Sequence, residues 1–72
     1  MNEKMFLDTM KDILDDETVT MNSLLSDIEG WDSLSVINYR AMANTSFGKQ
    51  IPPEQVHACS SIQDLYDLLI KD

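Results

Sequence analysis

The side chains with chemistry to offer are few in this 72-residue chain: one histidine, one cysteine, thirteen acidic residues and a handful of serines. Ser33 stands apart by its setting, because it follows Gly30-Trp31-Asp32 and opens the clearest amphipathic segment. Asp32 is a good helix N-cap, since its carboxylate can accept a hydrogen bond from an otherwise unpaired backbone N–H one or two residues on. Ser33 is then the first helical residue. Unpaired N–H groups and the positive end of the helix dipole converge there, so an anion attached to the Ser33 hydroxyl is well placed. An isolated Asp-Ser pair is more often a plain cap. The surrounding elements must decide between cap and attachment point.

The remaining candidates carry less. Asp32-Ser33-Leu34 after a glycine resembles the Gly-Asp-Ser-Leu block of one esterase family, but Trp31 interrupts it. There is no G-x-S-x-G elbow and no strand pattern leading into the serine, and His57 is the sole histidine that could serve as base. A serine without an oriented base and an oxyanion hole is a poor nucleophile, so no catalytic residue is expected. A metal site fails on spacing. Neither Asp15 nor Asp27 begins the alternating oxygen-ligand loop with a central glycine that a calcium hand needs. Cys59 has no basic neighbour in sequence apart from His57, and it reads as a small core residue rather than a reactive thiol. His57 reads as a surface residue.

The length supports one domain over residues 1–72 with a small core. The 43% hydrophobic content and regular apolar spacing argue that it folds. One cysteine allows no internal disulfide. The start, Met1-Asn2-Glu3-Lys4, lacks the pattern of a secretion signal and no stretch reaches membrane-spanning length, so the expected setting is cytoplasmic, without membrane insertion. A net charge of -8 makes nucleic acid an unsuitable partner and basic surfaces the natural complement.

Four elements are expected to position Ser33. Phe6, Met10, Ile13 and Leu14 fall on one face of a first helix from Glu3 to Leu14, which the acidic run Asp15-Asp16-Glu17 should end because it opposes the dipole. Thr18 to Glu29 reads as a long loop, pinned to the core by Leu24, Leu25 and Ile28, with room for one helical turn; it delivers Ser33 to the surface. From Ser33 to Phe47 two apolar faces coexist. Val36, Tyr39, Met42, Ala43 and Phe47 suit a helix packed inward, while Leu34, Ile37 and Ala41 form a neighbouring strip that is either buried or left for a partner. Gly48 suits the left-handed position that ends a helix. Pro53 to Cys59 forms a short helix with Val56 and Cys59 on one side, and Ser60 with Gln63 makes a capping box for a last helix carrying Ile62, Leu65, Leu68 and Leu69. The expected fold is all-α, a small four-helix bundle of three longer helices and one short one. Its core includes Phe6, Ile13, Leu25, Ile28, Tyr39, Phe47, Ile51, Val56 and Leu65.

Asp27-Ile28-Glu29-Gly30-Trp31-Asp32-Ser33-Leu34, the helix ending Phe47-Gly48, the segment Ile51-Pro52 and the final Ser61-Ile62-Gln63-Asp64 together resemble the acyl carrier protein family, including peptidyl carrier domains. The resemblance covers nearly the whole chain. It implies that Ser33 receives 4′-phosphopantetheine from coenzyme A through a phosphopantetheinyl transferase, with Asp32 as helix cap and transferase recognition residue. It further implies that the arm's thiol carries acyl or aminoacyl groups as thioesters and that the protein itself catalyses nothing. Leu34, Ile37 and Ala41 match positions where such carriers present apolar contacts to a loading enzyme and to downstream synthase or transferase enzymes.

Fatty-acid-synthesis carriers have acidic residues along this helix, whereas here the polar positions are Ser35, Asn38, Arg40, Asn44 and Thr45. Gly30-Trp31-Asp32-Ser33 is more similar to carriers of polyketide, nonribosomal-peptide or other specialised pathways. The expectation is therefore a free-standing, monomeric carrier of a specialised pathway. The alternative is a non-enzymatic helical interaction domain with an unmodified Ser33.

Overall fold

A computed structural model describes residues 2–71. Four α-helices follow in order, α1 (Glu3–Leu14), α2 (Ser33–Phe47), α3 (Pro53–His57) and α4 (Ile62–Ile70), with a single 3-10 turn at Leu25–Asp27 inside the long loop. This is the expected bundle of three longer helices and one short one. α1 packs on both α2 and α4. Phe6, Met10 and Leu14 from α1 meet Val36, Tyr39 and Ala43 from α2 and Ile62, Leu65 and Leu69 from α4, with Val19, Leu25, Ile28, Ile51 and Val56 closing the gaps. Ile13 and Phe47, expected in the core, pack against it but stay partly exposed. Tyr39 is fully buried, and its hydroxyl donates to the Leu65 carbonyl at 2.6 Å, so this buried polar atom of α2 finds a partner. Burial pushes the Tyr39 hydroxyl's pKa upward, with a smaller push from Cys59.

The helix ends follow from local chemistry. Asn2 caps α1 by accepting from the Met5 N–H at 2.9 Å. Asp15 ends it in the left-handed conformation (φ 52°), a position that aspartate tolerates better than most side chains. Asp16 then accepts from the Thr18 N–H and hydroxyl at 2.8 and 2.5 Å. Those bonds lower the Asp16 pKa, the hydroxyl contributing most. The acidic run thus shapes a turn.

The long loop is stitched to the start of α4. Leu25 N–H donates to the Ser60 carbonyl at 2.9 Å, Ile62 N–H to Ser23 at 3.1 Å and Gln63 N–H to Met21 at 2.8 Å, around an isolated antiparallel bridge between Leu24 and Ser61. This stitching corrects two expectations. Leu24 does not pin the loop, being half-exposed, and the anchors are Val19, Leu25 and Ile28. The N-cap of α4 is Ser61, not Ser60, and its reciprocal partner is Asp64, not Gln63. Ser60 is committed to the loop through its carbonyl, while the Asp64 carboxylate accepts from the N–H groups of Ser60 at 2.9 Å and Ser61 at 3.3 Å. Gln63 reaches forward to Asp67 instead. α3 also stops at His57, two residues short of the expected end, and half-buried Cys59 lies beyond it.

Candidate functional site

The corner between loop and α2 is built around Asp32. It caps the helix as expected, but the bond reaches three residues on, to the Ser35 N–H at 3.0 Å. That bond, opposed by desolvation and helped in smaller measure by the Ser35 hydroxyl and the Leu34 N–H, holds the Asp32 carboxyl below its ordinary pKa. The first intrahelical bond runs from the Val36 N–H to the Asp32 carbonyl at 3.1 Å, so the N–H groups of Ser33 and Leu34 lie ahead of the helical ladder. Ser33 is the first helical residue and is exposed. An anionic group on its oxygen would sit at the positive end of a 15-residue helix, without displacing any packed side chain. The corner therefore fits a phosphodiester.

Two features of the corner escape inspection of the sequence. Ser35 is only 3% exposed, and its hydroxyl donates to the Gly30 carbonyl at 2.5 Å while lying 3.2 Å from Asp32 Oδ1. Gly30 stands so close to the end of α1 that a Cβ there would meet the Leu14 carbonyl oxygen at 2.7 Å. The only sequence signals were the glycine itself and a serine at the third helical position, where a side chain can turn back on the cap.

Beyond the corner, α2 keeps its two faces distinct. Val36, Tyr39 and Ala43 are buried and Met42 and Phe47 partly so, whereas Leu34 is 63% and Ile37 57% exposed and Ala41 is also exposed. The strip formed by Leu34, Ile37 and Ala41 is thus an open apolar surface beginning beside Ser33. Arg40 lies along it. Its Nε–H donates to the Ile51 carbonyl at 2.8 Å, which fixes the side chain beside a shallow cleft of about 300 Å³ lined by Ile37, Ala41, Asn44 and Gln50. In the sequence Arg40 shows only as a polar position of α2.

A larger open groove, of about 620 Å³, lies between the end of α2, α3 and α4 and does not include Ser33. Cys59 lines it, its thiol donating to the Gln55 carbonyl at 3.4 Å. Burial, then the charges of Asp64 and Asp67, push that thiol's pKa up, which suppresses the nucleophilic thiolate. His57 is exposed. Among the described residues no group of three or more histidine, cysteine or acidic side chains is placed to hold a metal ion, and no helix is long and apolar enough to cross a membrane.

Comparison with known families gives one match. A family model described as the phosphopantetheine attachment site matches residues 6–69, from the first buried residue of α1 to the last of α4. Members of that family carry covalently attached 4′-phosphopantetheine and act as acyl or peptidyl carriers. No curated protein and no solved structure matches the chain.

Proposed function

Because the chain belongs to the phosphopantetheine-attachment family, we propose that residues 1–72 form one free-standing carrier domain in which Ser33 Oγ bears the 4′-phosphopantetheine drawn from coenzyme A. The observation that carries this reading is the exposed Ser33 hydroxyl at the first position of α2, beside the Asp32 cap. When bound, the group supplies a thiol that holds an acyl or aminoacyl unit as a thioester. Ser33 anchors it, and the N–H groups ahead of the helical ladder offset the phosphodiester charge. Asp32 keeps the helix start in register and, in this reading, is part of what the phosphopantetheinyl transferase recognises. The chain contributes no catalytic step of its own.

Leu34, Ile37 and Ala41 offer the apolar surface on which the transferase, a loading enzyme and downstream synthase or transferase enzymes dock in turn. Their exposure supports this role. None of the thirteen acidic residues lies within Ser33–Phe47, whose single charge is Arg40. A docking helix of that polarity does not complement enzymes with strongly basic carrier sites, and this supports service in a specialised pathway (polyketide, nonribosomal-peptide or related) over bulk fatty-acid synthesis. The carrier works as a monomer in the cytoplasm. To test this, the phosphopantetheine-bearing protein is loaded and offered to a complete set of fatty-acid elongation enzymes, with thioester products read by mass spectrometry. Negligible extension is expected; efficient chain growth would contradict the specialised assignment.

A further inference from the structure

Two serines lie two residues apart at the start of α2, and the corner treats them oppositely. Ser33 is exposed, whereas Ser35 is buried with its hydroxyl donated to the Gly30 carbonyl at 2.5 Å. Gly30 is in turn held against the Leu14 carbonyl, where a Cβ would approach to 2.7 Å. A continuous line of contacts therefore runs from the end of α1, through Gly30 and Ser35, to the helical turn that bears Ser33. We propose that Ser35 is a positioning residue for modification at Ser33. It takes its own hydroxyl out of reach and fixes the Gly30–Asp32 corner, so that Ser33 Oγ alone is presented in one place. The proposal rests on Ser33 being the attachment residue.

The reaction it serves depends on aim. Ser33 Oγ attacks the pantetheine-side phosphorus of coenzyme A; the new O–P bond forms as the bond to the departing adenosine 3′,5′-bisphosphate breaks, and the serine proton passes to a base on the transferase. Such a displacement needs the oxygen close to and in line with the leaving group, and small misplacements are costly. Ser35 cannot substitute, because its oxygen is buried.

Ser35 can be separated from the cap itself. Asp32 caps the helix mainly by accepting from the Ser35 backbone N–H, which persists whatever the side chain, so loss of the hydroxyl frees the Gly30 carbonyl while the helix start remains. The test uses Ser35→Ala and Gly30→Ala with coenzyme A, magnesium and a broad-specificity phosphopantetheinyl transferase, measuring initial rates and mapping the adduct by peptide mass spectrometry. For Ser35→Ala, kcat is expected to fall about tenfold with KM for the protein substrate within about twofold, the sign of an interaction needed at the reacting centre. Gly30→Ala is expected to do the same with the Ser35 hydroxyl still present, since its methyl group must move the same corner away from Leu14. A merely unfolded fraction acts differently, raising apparent KM while leaving kcat. Ser35→Ala with unchanged kcat, with a change in KM alone, or with its helical circular dichroism lost would overturn the proposal. If the wild type itself gains no phosphopantetheine, the attachment reading falls first and this assignment with it.

Discussion

Replacing Asp32 with alanine removes the side-chain acceptor for the Ser35 N–H, a 3.0 Å bond in a partly buried setting, and leaves that donor unpaired at the start of α2. Losing such a cap costs about 1 kcal/mol. For a 72-residue chain the unfolding entropy is about 0.15 kcal/mol/K, so the melting temperature should fall by about 6–7 °C. Asp32→Asn keeps a capping oxygen and should melt within about 2 °C of the wild type. Thermal unfolding followed by circular dichroism at neutral pH reads both. A melt of Asp32→Ala within about 1 °C of the wild type would refute the capping argument, because the bond would then contribute nothing measurable. The same variant should accept phosphopantetheine more slowly. Unchanged transferase kinetics would remove the recognition role of Asp32 and leave it a cap only.

Acid should weaken the corner in a way that asparagine does not. The folded pKa of Asp32 is depressed, so its stabilising contribution is complete above the unfolded value of about 3.9 and is lost as pH falls through the folded value. Urea unfolding of wild type and Asp32→Asn between about pH 6 and pH 2 should show the wild type losing ground to the variant only below about pH 4, and a constant difference across that range would contradict the assignment. Ile37→Glu, on the exposed strip, should change stability by no more than about 0.5 kcal/mol while lowering the rate with partner enzymes, and unaltered turnover with each of them would remove Ile37 from the docking surface. Gly48→Ala should cost about 1 kcal/mol, since φ is 66° there and no neighbouring atom crowds the added methyl group. An unchanged denaturation midpoint would mean that α2 ends differently in solution.

Much of this architecture was legible because its punctuation is local. Asp32 and Gly48 mark both ends of α2, and the spacing of Phe6, Met10 and Leu14 defines the buried side of α1. The two apolar faces of α2 were visible too, but only packing decides which is covered; α1 takes the side of Val36 and Tyr39 and leaves Leu34 and Ile37 open. What the sequence hides is non-local. Ser60 reads as the cap of α4, but Ser61 takes that place because the loop claims the Ser60 carbonyl through Leu25. The tie from Ser35 to Gly30, and the press of Gly30 on Leu14, depend on a loop whose path no periodicity encodes. The clamp of Arg40 on Ile51 belongs to the same kind.

The proposed carrier role turns on Ser33 as the residue that bears the phosphopantetheine. Incubation with coenzyme A, magnesium and a broad-specificity phosphopantetheinyl transferase, followed by intact-protein and peptide mass spectrometry, tests it directly. A single phosphopantetheine adduct that maps to Ser33 and disappears in Ser33→Ala is expected. An absent adduct, or one that survives Ser33→Ala, would contradict it.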